Sequence, residues 1–189
     1  MRENWQSVNE LAFNLADQIE KHCIETGEQF DRIILIPRGS YAPGNIISRR
    51  LGFGAQHILH MCMTSREDGD IDQIKDFIYG QMPLPKEVEG LDHLIIEEVA
   101  HTGTTLKHAT ELLELAGAGL VRTAALHLKR KQSCFIPDFY ANETESWIVY
   151  PWEKDERIGN KSAARRLSPE EQERERIRFD SLLTKSIEI

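Results

Sequence analysis

The sequence predicts an α/β domain: a mostly parallel central sheet flanked by helices. Three observations carry this. Residues 30–36, 94–96 and 120–128 are apolar runs with β-branched content, as in strands buried on both faces, where an alternating pattern would mark a half-exposed one. Segments 5–25, 41–51 and 106–116 place apolar residues at helical spacing between those runs. Short turns rich in Pro, Gly and Thr follow two of the strand ends. Strands alternating with helices in this way build parallel sheets, and ligands then sit beyond the C-terminal strand ends.

In chain order, Trp5, Val8, Leu11, Ala12, Leu15, Ile19 and Cys23 form the apolar stripe of a first helix, closed near Thr26-Gly27. A buried strand over 30–36 is broken by Pro37-Arg38-Gly39-Ser40, and 41–51 reads as a helix. A second strand is expected over 55–63. From 64 to 90 the pattern dissolves into charges, Gly and Pro, with an edge strand suggested at 76–81; a long excursion of this kind is functional or mobile. Strand, turn and helix follow at 92–116, ended by Gly117 and Gly119. After the strand at 120–128 come a basic cluster, Lys129-Arg130-Lys131, and short extended pieces at 136–142 and 147–150. Pro151 and Trp152 close the body, and Trp152 itself reads as core or a domain-edge plug. From 154 the composition turns charged, with a helix expected over 169–183. The chain therefore divides into a domain over 1–153 and a charged, helical C-terminal extension over 154–189. That tail helix is dense in Glu and Arg at three and four spacing, as in a solvated face, while its Ile177, Phe179, Leu182 and Leu183 are able to dock on a partner subunit.

Composition excludes several classes. No apolar run approaches the roughly 20 residues that span a bilayer, and the N-terminus lacks the apolar core of a signal peptide. Cys23, Cys62 and Cys134 have neither metal-site spacing nor a disulfide framework, which suits a reducing cytoplasm. A net charge of −8 argues against generic nucleic-acid binding, but a local nest of amides and a bound cation still admit anionic substrates.

The stretch over 94–106 carries the chemistry. Leu94-Ile95-Ile96 ends a strand, two carboxylates, Glu97 and Glu98, stand at its C-terminal edge, and Val-Ala-His-Thr-Gly-Thr-Thr leads into a helix. A small-residue turn at a helix N-terminus gathers backbone N–H groups around a concavity suited to phosphate, and Thr102, Thr104 and Thr105 add hydroxyl donors. The bland reading is an ordinary β–α turn whose Thr residues cap the helix. Neither Gly-x-Gly-x-x-Gly nor Gly-x4-Gly-Lys-Ser/Thr is present. Arg38-Gly39, after the first strand, is either a turn with a solvated arginine or a second anion pocket.

The order apolar strand, two acids, two small residues, then Thr-Gly-x-Thr resembles the phosphoribosyl-pyrophosphate (PRPP) motif of type I phosphoribosyltransferases, in their purine branch. Glu98 stands where that family usually has Asp, and His101 where the purine enzymes usually have Asp. Arg38-Gly39 resembles the family's pyrophosphate loop, with Ser40 in place of a frequent second Gly; a cis peptide after the arginine position belongs to that likeness. Residues 147–153, Trp-Ile-Val-Tyr-Pro-Trp-Glu, resemble the purine-binding region of xanthine–guanine phosphoribosyltransferases. Together the three motifs cover roughly residues 28–153.

The resemblance implies a function: transfer of the 5-phosphoribosyl group of PRPP to a purine or purine-like base, with release of pyrophosphate. It implies His101, Thr102, Gly103, Thr104 and Thr105 around the 5-phosphate and Arg38 and Gly39 at the pyrophosphate. Lys129, Trp147 and Ile148 would hold the base within a small hood over 129–153, and Glu97, Glu98 and His101 would serve catalysis. Magnesium would be held largely through PRPP, with Glu98 as the protein's ligand, and the 64–90 excursion would act as a closing lid. The implied setting is a cytoplasmic homodimer or higher homo-oligomer with no nucleic-acid or membrane partner. The alternative reading is a PRPP- or nucleotide-binding regulatory protein on the same fold, catalytically weak or dead, for which the Glu98 and His101 departures speak.

Overall fold

The computed structural model describes residues 1–66 and 76–153. The expected tail helix at 169–183 lies outside the described residues.

Helix α1 (Trp5–Thr26) is fixed at both ends. Asn4 and Ser7 form a reciprocal capping box, and Gly27 closes the helix in the left-handed conformation that lacks a steric penalty only for glycine. The sheet comprises β1 (Arg32–Leu35), β2 (Ile58–His60), β5 (His93–Ala100), β6 (Val121–Leu128) and β7 (Phe139–Glu143). Its order is β2-β1-β5-β6-β7, with every neighbouring pair parallel. Helices α1 and α2 (Tyr41–Arg50) cover one face, over a core that includes Leu15, Ile33, Leu35, Ile47, Leu94 and Ile96. Helix α3 (Thr104–Leu115) covers the other, over Ile34, Ile36, Ile95, Leu106 and Leu113. Apolar strands flanked on both faces are what the continuous apolar runs require.

Four expectations are corrected. The second strand is short: residues 55–57 form a 3-10 turn, and Met63 already belongs to another element. The extended segment near 76–81 does not join the main sheet. It forms β4 (Asp76–Tyr79), paired antiparallel with β3 (Met63–Arg66) in a separate hairpin. The hairpin is fastened to α3 by side chains: Phe77 stacks on His108 with ring centroids 4.2 Å apart, and Tyr79 Oη hydrogen-bonds His108 Nε2 at 2.6 Å. Strand β5 does not stop at Ile96 but continues to Ala100, because β6 offers a matching edge up to Leu128. Glu97 and Glu98 therefore project from a strand on opposite faces, which a turn would not have enforced. The cis peptide lies one bond earlier than the resemblance implied, between Pro37 and Arg38.

The N-terminal segment has a role the sequence did not suggest. Arg2 bridges Val149 in parallel, with Glu3 N donating to Val149 O and Val149 N to Met1 O at 3.0 Å each. The chain start thus pins residues 147–149. Among the described residues no helix is long and apolar enough to cross a membrane.

Candidate active site

β1 connects to β2 on one side, while β5 lies on its other side, so the chain reverses direction across the sheet between β1 and β5. A crevice opens at the C-terminal ends of strands around such a reversal. The Arg38-Gly39 loop leaves β1 there, and Glu97 to Thr105 leave β5. A cavity of about 160 Å³ joins them, lined by Arg38, Gly39, Glu97, Glu98 and Thr105 among others. A second cavity of about 90 Å³ shares Glu98 and Val99 with it and adds His101, Lys129, Trp147 and Ile148. Residues drawn from segments some 50 positions apart in sequence thus converge on one place, including every base-side residue the sequence pointed to.

Gly103 is the N-cap residue of α3, with φ of +74° and no side-chain capping bond. Capping by a threonine is present in part, since Thr104 N donates to Thr102 Oγ1 at 3.4 Å. Thr104 Oγ1 donates to Thr102 Oγ1 at 3.1 Å, keeping both hydroxyls at the helix start, where the other first-turn amides and the helix dipole favour an anion. A Cβ on Gly103 would meet Ser133 Oγ at 2.3 Å and the Phe135 backbone at 2.7 Å. Gly103 is required by this close loop and by its positive φ, so a side chain there would strike the 133–135 loop.

The two acids differ. Glu97 is half-buried beneath the cleft. Enclosure by protein, reinforced by the adjacent Glu98, pushes its carboxyl up to about 8. Glu98 accepts a hydrogen bond from Trp152 Nε1 at 3.1 Å, and its carboxylate occupies the space where a Cβ on Gly39 would stand, 1.5 Å from Oε2. The glycine of the Arg38-Gly39 loop is thus what admits the Glu98 carboxylate. Among the described residues no group of three or more His, Cys, Asp or Glu side chains could hold a metal ion by itself. The Glu98 carboxylate is a hard oxygen donor, and it fits a magnesium ion whose remaining ligands come from a bound phosphate compound.

At the second cavity, Trp147 is 73% exposed and Lys129 only 5%. Lys129 Nζ lies 5.3 Å from the Trp147 ring centroid, so the ammonium is held against an indole face that otherwise stands open. Ile148 is buried and fixes the backbone beside them. His101 Nε2 faces Gln132 Oε1 at 2.5 Å.

Sequence reading missed the support beneath Glu98. Tyr150 is buried, donates its hydroxyl to Glu98 O at 2.9 Å and meets His127 Nδ1 at 2.9 Å. Burial drives the Tyr150 phenol pKa upward, so it remains a donor. Trp152 stacks on Tyr150 with the rings 7° from parallel and touches Trp5. It is at once the plug the sequence suggested and a ligand of Glu98. The adjacency of Tyr150 and Trp152 to the Trp147-Ile148 segment was the available signal.

A family model described as "Phosphoribosyl transferase domain" matches residues 4–155. The chain belongs to this family. Among solved structures, a purine phosphoribosyltransferase from Pyrococcus horikoshii superposes with a TM-score of 0.65 at 25% identity, covering 85% of this chain and 98% of that one. A xanthine-guanine-hypoxanthine phosphoribosyltransferase from Helicobacter pylori gives 0.66 at 15% identity, covering 82% and 94%. A hypothetical protein from Neisseria gonorrhoeae with bound ppGpp gives 0.66 at 21%, covering 81% and 89%. No curated protein is significantly similar in sequence. This phosphoribosyltransferase domain accordingly has the type I α/β architecture, with its crevice at the β1/β5 reversal.

Proposed function

We propose that the protein is a magnesium-dependent phosphoribosyltransferase that transfers the 5-phosphoribosyl group of PRPP to a purine or purine-like base. The single observation that carries this reading is the convergence of Glu98, His101, Lys129, Trp147 and Ile148 on one cavity that adjoins the Arg38-Gly39 pocket. Thr102 to Thr105 receive the 5-phosphate, with the backbone of Gly103 and the flanking His101 completing the cradle. Arg38 and Gly39 receive the pyrophosphate. Trp147 stacks on the base, Lys129 donates to an oxo group on it, and the Ile148 backbone reads its edge.

In the reaction a ring nitrogen forms a bond to the anomeric carbon while the bond from that carbon to pyrophosphate oxygen breaks, its electron pair leaving with the pyrophosphate. The ring proton passes to His101, which stands in the cleft where a proton acceptor is needed. Glu98, fixed by Trp152, faces the ribose side and is the protein's contribution to the magnesium ion. Magnesium, when bound, offsets the charge that develops on the departing pyrophosphate. Glu97, held protonated at neutral pH by its surroundings, adds no repulsion to an anionic substrate. The described part of 64–90, the β3–β4 hairpin with residues 80–90, would serve as the lid that excludes water, while residues 67–75 of that excursion lie outside the described residues.

Residues 1–153 would form the catalytic domain, 129–153 its hood and 154–189 an extension, in a cytoplasmic homodimer or higher homo-oligomer without nucleic-acid or membrane partners. Sedimentation measures the oligomeric state. Incubating the protein with PRPP, magnesium and a panel of bases, with nucleotide detected by chromatography, tests the activity; no product from any base would remove it. In that assay His101→Ala is expected to lose rate more than affinity, and His101→Asp to retain activity. A second reading, a PRPP- or nucleotide-binding regulatory protein with weak or no catalysis, rests on Glu98 and His101 standing where the family usually has Asp. Calorimetric nucleotide binding without turnover would support it.

A further inference from the structure

His101 is one end of a side-chain chain that continues on the far side of the cleft. Its Nε2 faces Gln132 Oε1 at 2.5 Å. Gln132 Nε2 donates to Glu145 Oε2 at 3.2 Å, and Glu145 Oε1 accepts the Lys131 backbone N–H at 2.9 Å. The direction of this chain is dictated by chemistry. An ionised carboxylate only accepts, so the Gln132 amide must turn its NH2 group to Glu145 and its oxygen to His101. The Lys131 amide and Gln132 together hold the Glu145 carboxyl below its ordinary range, which keeps it an acceptor. An amide oxygen in turn demands a donor, and the only hydrogen that Nε2 can offer is its own.

We propose that Gln132 and Glu145 are positioning residues that fix His101 in the Nε2-protonated tautomer, leaving Nδ1 as the proton acceptor. This rests on the reading of His101 as the proton-accepting group of the cleft. The N–H of the base delivers its proton to Nδ1 as the bond to the anomeric carbon forms. The imidazolium that results keeps its Nε2–H on the Gln132 oxygen. Glu98, Glu153 and Lys129 line the same cavity as His101, while Glu145 and the Lys131 backbone N–H stand behind Gln132. An aspartate needs no such orientation, because either of its oxygens accepts; a histidine in this place does.

Long-range proton–nitrogen correlation spectra of the 15N-labelled full chain test the proposal, with the His101 signals identified by their absence in His101→Asn. Wild type is expected to show a protonated Nε2 and an unprotonated Nδ1. Glu145→Gln, which frees the Gln132 amide to turn, and Gln132→Leu, which removes it, are expected to populate the opposite tautomer. Both side chains are exposed, so melting temperatures should stay near wild type. In turnover, Gln132→Leu should lower kcat between about tenfold and a hundredfold, the scale of a misplaced catalytic group, with KM for PRPP unchanged. A protonated Nδ1 in wild type, or a tautomer ratio unaltered in both variants, overturns the proposal. The spectra decide this even if no base is turned over, so failure of the transferase reading and failure of the clamp are separate results.

Discussion

Gly39→Ala isolates the coupling between the Arg38-Gly39 loop and Glu98. Gly39 does not have a positive φ, so alanine is tolerated by the backbone, and the whole effect comes from the added methyl. That methyl would stand 1.5 Å from Glu98 Oε2 and 1.7 Å from Cδ. The carboxylate must retreat by about 2 Å to reach ordinary van der Waals contact, and a misplacement of about 1 Å costs on the order of a hundredfold in rate. The retreat also breaks the hydrogen bond from Trp152 Nε1, worth about 1.5–3 kcal/mol for a charged acceptor. We therefore expect kcat/KM for PRPP to fall by about a hundredfold or more, and stability by no more than that one bond. Steady-state turnover and chemical denaturation of the same preparations measure both. If the effect passes through Glu98, Gly39→Ala should add almost nothing in a Glu98→Ala background, the non-additivity expected of residues in contact. Wild-type turnover in Gly39→Ala, or an undiminished effect in the Glu98→Ala background, refutes the reasoning.

Trp147→Ala should weaken nucleotide binding by about 1–3 kcal/mol, the scale of base–aromatic stacking, while leaving the melting temperature nearly unchanged because the ring is 73% exposed; a large loss of stability would instead mark it as structural. Gly103→Ala should destabilise the fold by at least about 1–2 kcal/mol from its left-handed conformation alone, with further loss from collision with Ser133 and Phe135, and denaturant titration would reveal it. Glu97 has a folded pKa of about 8, above that of the unfolded chain, so the native state binds the extra proton between the two values. The Glu97 contribution to the stability of the ligand-free protein is then most favourable below the unfolded carboxylate pKa of about 4.3 and falls as pH rises toward 8. Glu97→Gln should flatten this contribution, as followed by melting temperature against pH.

Most of the fold was legible in the sequence because burial on both faces leaves an unmistakable pattern. The runs at 30–36 and 120–128 became β1 and β6 with small changes of boundary, and the stripe from Trp5 to Cys23 became α1. The strand expected at 55–63 shrank to three residues, since an edge strand has only one neighbour to pair with and its ends are shaped by turns. The hairpin at β3–β4 was harder to read. Its pairing is with itself, and what holds it is a contact from Phe77 and Tyr79 to His108, about 30 positions away, which no local pattern encodes.

At the site, the sequence by itself determined the chemistry available: two acids beside a small-residue turn, an arginine-glycine loop, a lysine, and a Trp-Ile segment. Those are matters of residue type and local spacing, and a strand end or helix start fixes them within a few residues. Only the tertiary structure decided how the two acids differ. Glu97 is raised to about 8 by enclosure, while Glu98 is held by Trp152 and admitted by Gly39, because desolvation and contact depend on what other segments bring. The same holds for Tyr150 and His127 beneath Glu98, and for the N-terminal strand segment that pins residues 147–149. Parallel strands pair residues separated by whole helices, so each of these contacts joins positions whose proximity exists only once the sheet has closed around them.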